Sequence, residues 1–173
     1  MAAVALALPV LLGVACGDEE DTATDMVETP GPGAPVVPWP EPASFDCQPT
    51  VPNGATPPGE NLSPLHHGTD KIWTQFWPGG IVVFEQGGPG TVDAREALGM
   101  KWPLWRSIEG EIWIEGRRQT GGPDDFLEVS IPGGYRRTGF QALGLTFSAQ
   151  GCWEITARVG TDSLTFIVAV YVP

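Results

Sequence analysis

The chain has 173 residues, with 21 acids against nine Lys and Arg, and a formal charge of −12. That length has room for one domain, and the scarcity of basic residues excludes nucleic-acid binding through phosphates, which depends on counterion release by Lys and Arg. The charge is also uneven: nine of the acids and no Lys or Arg fall in residues 1–60, leaving a net −3 for the remainder.

Residues 2–15 are apolar, shorter than the roughly 20 residues that span a bilayer, and suit the core of a signal peptide. They end in Leu12-Gly13-Val14-Ala15-Cys16 and open onto Gly17-Asp18-Glu19-Glu20-Asp21. This run resembles the lipobox of bacterial lipoprotein signal peptides. The resemblance implies removal of 1–15, acylation of the Cys16 thiol and a membrane partner reached through the lipid. No Lys or Arg precedes Cys16, so the usual basic segment would come from an upstream start. Gly13 stands where lipoboxes prefer Leu. Gly13 and Ala15 also suit ordinary signal-peptidase cleavage, which leaves plain secretion as the alternative.

Residues 16–45 read as a disordered linker. Pro30, Pro32, Pro35, Pro38, Pro40 and Pro42 favour extended polyproline II, and the acids keep the segment solvated. Residues 46–70, rich in Pro, Gly, Asn and Ser, read as coil laid over the domain. From Lys71 to Pro173 the texture is that of strands. Residues 72–77 and 81–84 flank the turn signal Pro78-Gly79-Gly80 and suggest a hairpin. Gln86-Gly87-Gly88-Pro89-Gly90 then breaks the chain, and 93–98 could form one helical turn. Further strands are expected at 100–106, 111–118, 126–131, 140–147, 152–159 and 164–172, each bounded by Gly, Pro or Asp. Trp153, Ile155, Ala157 and Val159 alternate with period two. Ile112 and Ile114 take one face of their strand, and Trp113 with Glu111 and Glu115 the other. About eight short strands at this spacing predict an all-β fold, a single immunoglobulin-like antiparallel β-sandwich.

If Cys16 is acylated outside the cytoplasm, Cys47 and Cys152 remain as an even pair in an oxidising compartment. Joining them would close a loop of roughly 100 residues, for which chain entropy gives about 4.7 kcal/mol. Cys152 faces away from Trp153 and Ile155, so the bridge is expected outside the sheet rather than in its core. Two free thiols are the alternative. No CxxC or HxxxH spacing arranges these cysteines with His66 and His67 around a metal. No cofactor is expected.

Gly151-Cys152-Trp153-Glu154-Ile155-Thr156-Ala157-Arg158-Val159, the turn Thr161-Asp162-Ser163 and the strand from Leu164 look like the closing hairpin of an immunoglobulin-like sandwich. Together with Pro52-Asn53-Gly54, Lys71-Ile72-Trp73, Met100-Lys101-Trp102-Pro103-Leu104-Trp105-Arg106, Glu115-Gly116-Arg117-Arg118 and Gly139-Phe140-Gln141, this run is similar to an uncharacterised family of secreted bacterial lipoproteins. The resemblance spans about Cys47 to Val170. It implies compartment, the cysteine pair and the fold, and carries no activity.

No Gly-x-Ser-x-Gly, His-Glu-x-x-His or phosphate-binding Gly-x-x-x-x-Gly-Lys occurs. Gly87-Gly88-Pro89-Gly90 reads as a turn, and the adjacent His66 and His67 as exposed loop residues. Seven tryptophans are the strongest functional hint, since each can fill a core or line a ligand surface. Pro103 argues against a central strand, so one of Trp102 and Trp105 is expected to be exposed. Arg117-Arg118 and Arg136-Arg137 either balance Glu111, Glu115, Asp124 and Asp125 across strands or build an anion site with Arg106. Trp102, Trp105 and Arg106 are therefore the candidate ligand contacts. The expectation is a cell-envelope lipoprotein whose domain binds an unknown envelope protein or saccharide without catalysis. The alternatives are a carbohydrate-binding module using surface tryptophans and an accessory subunit of an envelope enzyme.

Overall fold

The computed structural model describes residues 45–85, 88, 90–92 and 97–173. The leader, the acylation position Cys16, most of the linker and the 93–96 part of the expected helical turn lie outside the described residues, as do Gln86, Gly87 and Pro89.

Ten strands are present among the described residues. They are β1 (His66–Gly68), β2 (Ile72–Gln75), β3 (Ile81–Val83), β4 (Gly90–Val92), β5 (Leu98–Arg106), β6 (Ile112–Arg118), β7 (Leu127–Ser130), β8 (Gly139–Phe147), β9 (Gly151–Val159) and β10 (Asp162–Tyr171). One sheet runs β1-β2-β5-β8-β7, with β4 also paired to β5, and the other runs β3-β10-β9-β6. The orders β2-β5-β8-β7 and β10-β9-β6 correspond to A-B-E-D and G-F-C of the constant-type immunoglobulin sandwich. The protein is an all-β immunoglobulin-like sandwich.

The core lies between the two sheets and follows the alternation of the sequence. Leu98, Met100, Trp102 and Leu104 of β5 meet Leu143, Leu145 and Phe147 of β8 on one inner face. Trp153, Ile155, Ala157 and Val159 of β9 lie with Leu164, Phe166, Val168 and Val170 of β10 on the other. Because side chains in a strand alternate across the sheet, each wall buries every second residue. Trp153 is fully buried, donates its indole N–H to the Ala149 carbonyl at 3.0 Å and meets Phe147 edge-on at 5.3 Å.

Several details differ from the sequence expectation: Gly90, read as part of a break, begins β4, and Leu98, read as part of a helical turn, begins β5. β2 and β3 form no hairpin: they belong to different sheets, and β3 pairs with β10 in parallel. The 3-10 turn Pro78–Gly80 carries the chain across the sandwich. Gly79 and Gly80 there hold φ of 67° and 69°, and a Cβ on Gly80 would lie 2.7 Å from Cβ of Pro49. A turn signal states that the chain bends, not which sheet receives it. The first sheet also begins inside the stretch read as coil, where β1 pairs with β2. At the C-terminal edge of the linker, Phe45 packs edge-on against Tyr171 at 5.9 Å.

Residues 45–65 form a strap around the sandwich. Cys47 and Cys152 are disulfide-bonded with Cα atoms 6.1 Å apart. Cys152 pairs with Ala169, which packs with Ile81 and Val83 outside the core, so the bridge lies on the outer side of its sheet. Immunoglobulin domains of antibodies place theirs between the sheets. The Thr50 N–H bonds the Ile167 carbonyl at 2.9 Å, and the Ile167 N–H bonds the Thr50 hydroxyl at 2.8 Å. Asn53 then accepts from the Gly68 N–H at 3.1 Å and donates to the Gly68 carbonyl at 2.8 Å.

Candidate functional site

Both Trp102 and Trp105 are buried, with 1% and 7% of their surface exposed. This corrects the expectation that one of them is a surface ligand contact. β5 is a central strand despite Pro103: β2 pairs with Leu104–Arg106 and β4 with Leu98–Met100, so Pro103 falls in the gap between them. The missing N–H costs no ladder bond to a strand on that edge, and the Pro103 carbonyl accepts the Thr74 hydroxyl at 2.9 Å. Trp102 points inward, stacks on Phe166 at 5.5 Å and donates to the Thr74 hydroxyl. Trp105 points outward but is roofed. Its N–H bonds Glu60 of the strap at 3.0 Å, and His66 and Phe140 flank it at 5.7 and 5.3 Å.

His66 and His67 lie on opposite faces of β1, which corrects their reading as exposed loop residues. His66 is buried beside Trp105, and His67 stacks on Phe76 at 5.2 Å. Burial holds the His67 imidazole below its ordinary pKa.

Arg106 closes β5 at the end of the sandwich where three loops meet. These are residues 107–111 between β5 and β6, 131–138 between β7 and β8, and 160–161 between β9 and β10. Only 8% of Arg106 is exposed, yet no carboxylate among the described residues touches it. Its guanidinium donates to the Gly110 carbonyl at 3.4 Å, the Arg136 carbonyl at 3.1 Å and the Gln141 carboxamide oxygen at 3.3 Å. Its Nε has no hydrogen-bond partner among the described residues. Withdrawal from water lowers its pKa, while the three oxygens replace part of the lost hydration. Gln141 in turn donates to the Pro132 carbonyl at 3.0 Å. One buried cation and one carboxamide thus tie two loops together. A third link is the ion pair Arg137–Glu109 at 3.1 Å. The 107–111 and 160–161 loops meet at two glycines: a Cβ on Gly110 would lie 2.8 Å from the Gly160 nitrogen.

Two open clefts flank Arg106. One, of about 320 Å³, is lined by Arg106, Gln141, Glu111, Tyr135 and the turn at Pro132–Gly134. The other, of about 370 Å³, lies between Arg106, Glu109, Gly110 and Arg137. Among the described residues no three of His, Cys, Asp and Glu converge as metal ligands.

The remaining arginines divide. Arg117 pairs with Glu154 at 3.0 Å, Arg158 with Glu115 at 2.9 Å, and Arg118 with Asp125 at 3.2 Å. Arg117-Arg118 is therefore absorbed by cross-strand and loop charges; of the acids expected to balance the pair only Asp125 does so, and Glu154 takes Arg117. Arg136 and Arg137 belong to the loop end beside Arg106. Sequence reasoning found Arg106 but passed over Glu111, Tyr135 and Gln141 as members of the same cleft. Pro132-Gly133-Gly134-Tyr135 was the available signal, a glycine turn carrying an aromatic, and no spacing rule connects it to Arg106 or Glu111. Compared with family models, with curated proteins and with solved structures, the chain finds no match.

Proposed function

We propose that the protein is a non-catalytic binding domain held at a bacterial cell envelope by an acyl chain on Cys16, and that its ligand docks on the three-loop end. The observation that carries this reading is Arg106, a guanidinium 8% exposed and in contact with no carboxylate among the described residues, beneath two open clefts that Glu111 and Glu109 help to line. A buried charge lacking a counter-charge is costly, and here it rigidifies loops whose outer surfaces stay free. Position supports the same reading. The described chain is fastened at Cys152 near the start of β9, whereas the loop end lies past Val159, a nine-residue strand away, about 27 Å. A tether attached at one end leaves the other free to meet a partner.

Two measurements test the two halves. Cys16→Ser should abolish metabolic labelling by an alkynyl fatty acid, and equal labelling of wild type and variant would remove the anchor. A photo-crosslinking amino acid placed in the 131–138 loop should capture an envelope component in living cells. The same probe at Gln119, on a loop at the other end, should not. Capture from Gln119 alone would contradict the docking end.

A further inference from the structure

The 320 Å³ cleft beside Arg106 has a composition that selects a ligand class. Its volume lies at the low end of small-molecule sites, about 300–1,000 Å³, and its open mouth leaves room for a ligand to continue beyond it. Tyr135 offers an aromatic side chain 40% exposed. The ring rests edge-on against Phe140 at 6.0 Å, and Phe140 leans on the buried Trp105 at 5.3 Å. A ring with a packed neighbour loses less conformational entropy than an unsupported one when a ligand packs on it. Gly133 and Gly134 have only open space where side chains would project, so nothing crowds the rim.

The polar lining is planar and of both signs. Arg106 has five N–H donors and makes three hydrogen bonds among the described residues. Glu111 is exposed, and its carboxylate has no partner among the described residues. Gln141 adds a carboxamide held by bonds to Arg106 and Pro132. One guanidinium and one carboxylate cancel, so the cleft does not concentrate ions of either sign. Fork-shaped donors and acceptors beside an aromatic ring match a ring compound that carries adjacent hydroxyls at its rim and C–H groups on one face.

Resting on the reading that the loop end is the docking end, we propose that this cleft binds one pyranose unit of a neutral or N-acetylated saccharide. The Tyr135 ring packs on the C–H face of the sugar, and Glu111 and Arg106 bond its hydroxyls. This differs from the expected tryptophan platform, because the contacts come from Tyr135, Glu111 and Arg106 while Trp105 serves only to support Phe140.

The test uses the full chain and surfaces carrying oligosaccharides of hexoses, N-acetylhexosamines and uronates. Wild type should be retained on at least one neutral surface and released by the same free oligosaccharide. Tyr135→Ala and Glu111→Gln should each weaken retention about tenfold, the equivalent of 1.4 kcal/mol. Tyr135→Phe, which keeps the ring, should bind nearly as wild type. Phe126→Ala, on an exposed ring at the end of the sandwich opposite the cleft, should change nothing, and thermal melts verify that each variant is folded. Retention on no saccharide, on uronates alone, or undiminished in Tyr135→Ala and Glu111→Gln would overturn the proposal. If saccharides fail while a probe in the 131–138 loop still captures an envelope protein, the docking end stands and only the ligand class falls.

Discussion

A guanidinium removed from water must find oxygens to replace its hydration, and Arg106 finds two main-chain carbonyls and one carboxamide. Arg106→Met keeps much of the stem but leaves those acceptors without a donor. A loss of about 1–3 kcal/mol in denaturant unfolding is expected, with hydrogen exchange accelerated in residues 131–138. Unchanged exchange there would remove its role as the tie between loops. The tryptophans form a graded series. Trp153→Ala should cost about 3–5 kcal/mol as a core truncation, and Trp102→Ala a similar amount, since it also removes the indole donor to the Thr74 hydroxyl. Trp113, 61% exposed, should stay within about 0.5 kcal/mol of wild type when truncated. Equal costs at Trp102 and Trp113 would contradict the assigned burial. His67 gives stability a pH dependence of determined sign. Burial lowers its pKa in the folded state below the ordinary 6.5, so in the window below 6.5 the unfolded chain binds a proton that the fold does not. Its contribution is complete above about pH 7 and is lost as pH falls through 6.5 toward the folded pKa. The slope of melting temperature against pH should flatten between 7 and 5 in His67→Phe. An identical slope in the variant would assign it elsewhere.

At the scale of elements, the strap depends on its covalent end. Replacing Cys47 and Cys152 together by Ser should cost about 2–5 kcal/mol in urea unfolding, with accelerated exchange confined at first to residues 45–65. A variant as stable as wild type would show that the hydrogen bonds of Thr50 and Asn53 suffice. What the sequence made legible here follows the range of the forces involved. β9 and β10 announce themselves because the alternation of Trp153, Ile155, Ala157 and Val159 is a property of one strand. β5 was expected at 100–106, but its central place was obscured by Pro103, which is unfavourable in a central ladder as a rule but fits the gap between β2 and β4, set by two other segments. β3 was misread as half of a hairpin because its partner β10 lies at the far end of the chain. The cleft was the least legible feature. Glu111, Tyr135 and Gln141 come from three separate stretches, and only the closing of the sandwich brings them beside Arg106.

The whole molecule divides its surface by charge. The outer face of β6 and β9 carries Arg117–Glu154 and Arg158–Glu115, exposed pairs worth at most about 1 kcal/mol each, which neutralise one another and leave a solvated face. The loop end instead holds Arg106 and Glu111 on one cleft without touching each other, and Arg136 without an ion pair, among the described residues. Binding through this end is the central claim, and amide-resolved NMR tests it most directly. Isotopically labelled protein would be titrated with solubilised bacterial envelope material, the source of the ligand under the proposed function. The account predicts shifts concentrated in residues 107–111, 131–138 and 160–161, with Trp113 and the strap unmoved. Shifts centred on the face around Trp113 and Arg117, with the three loops silent, would contradict it.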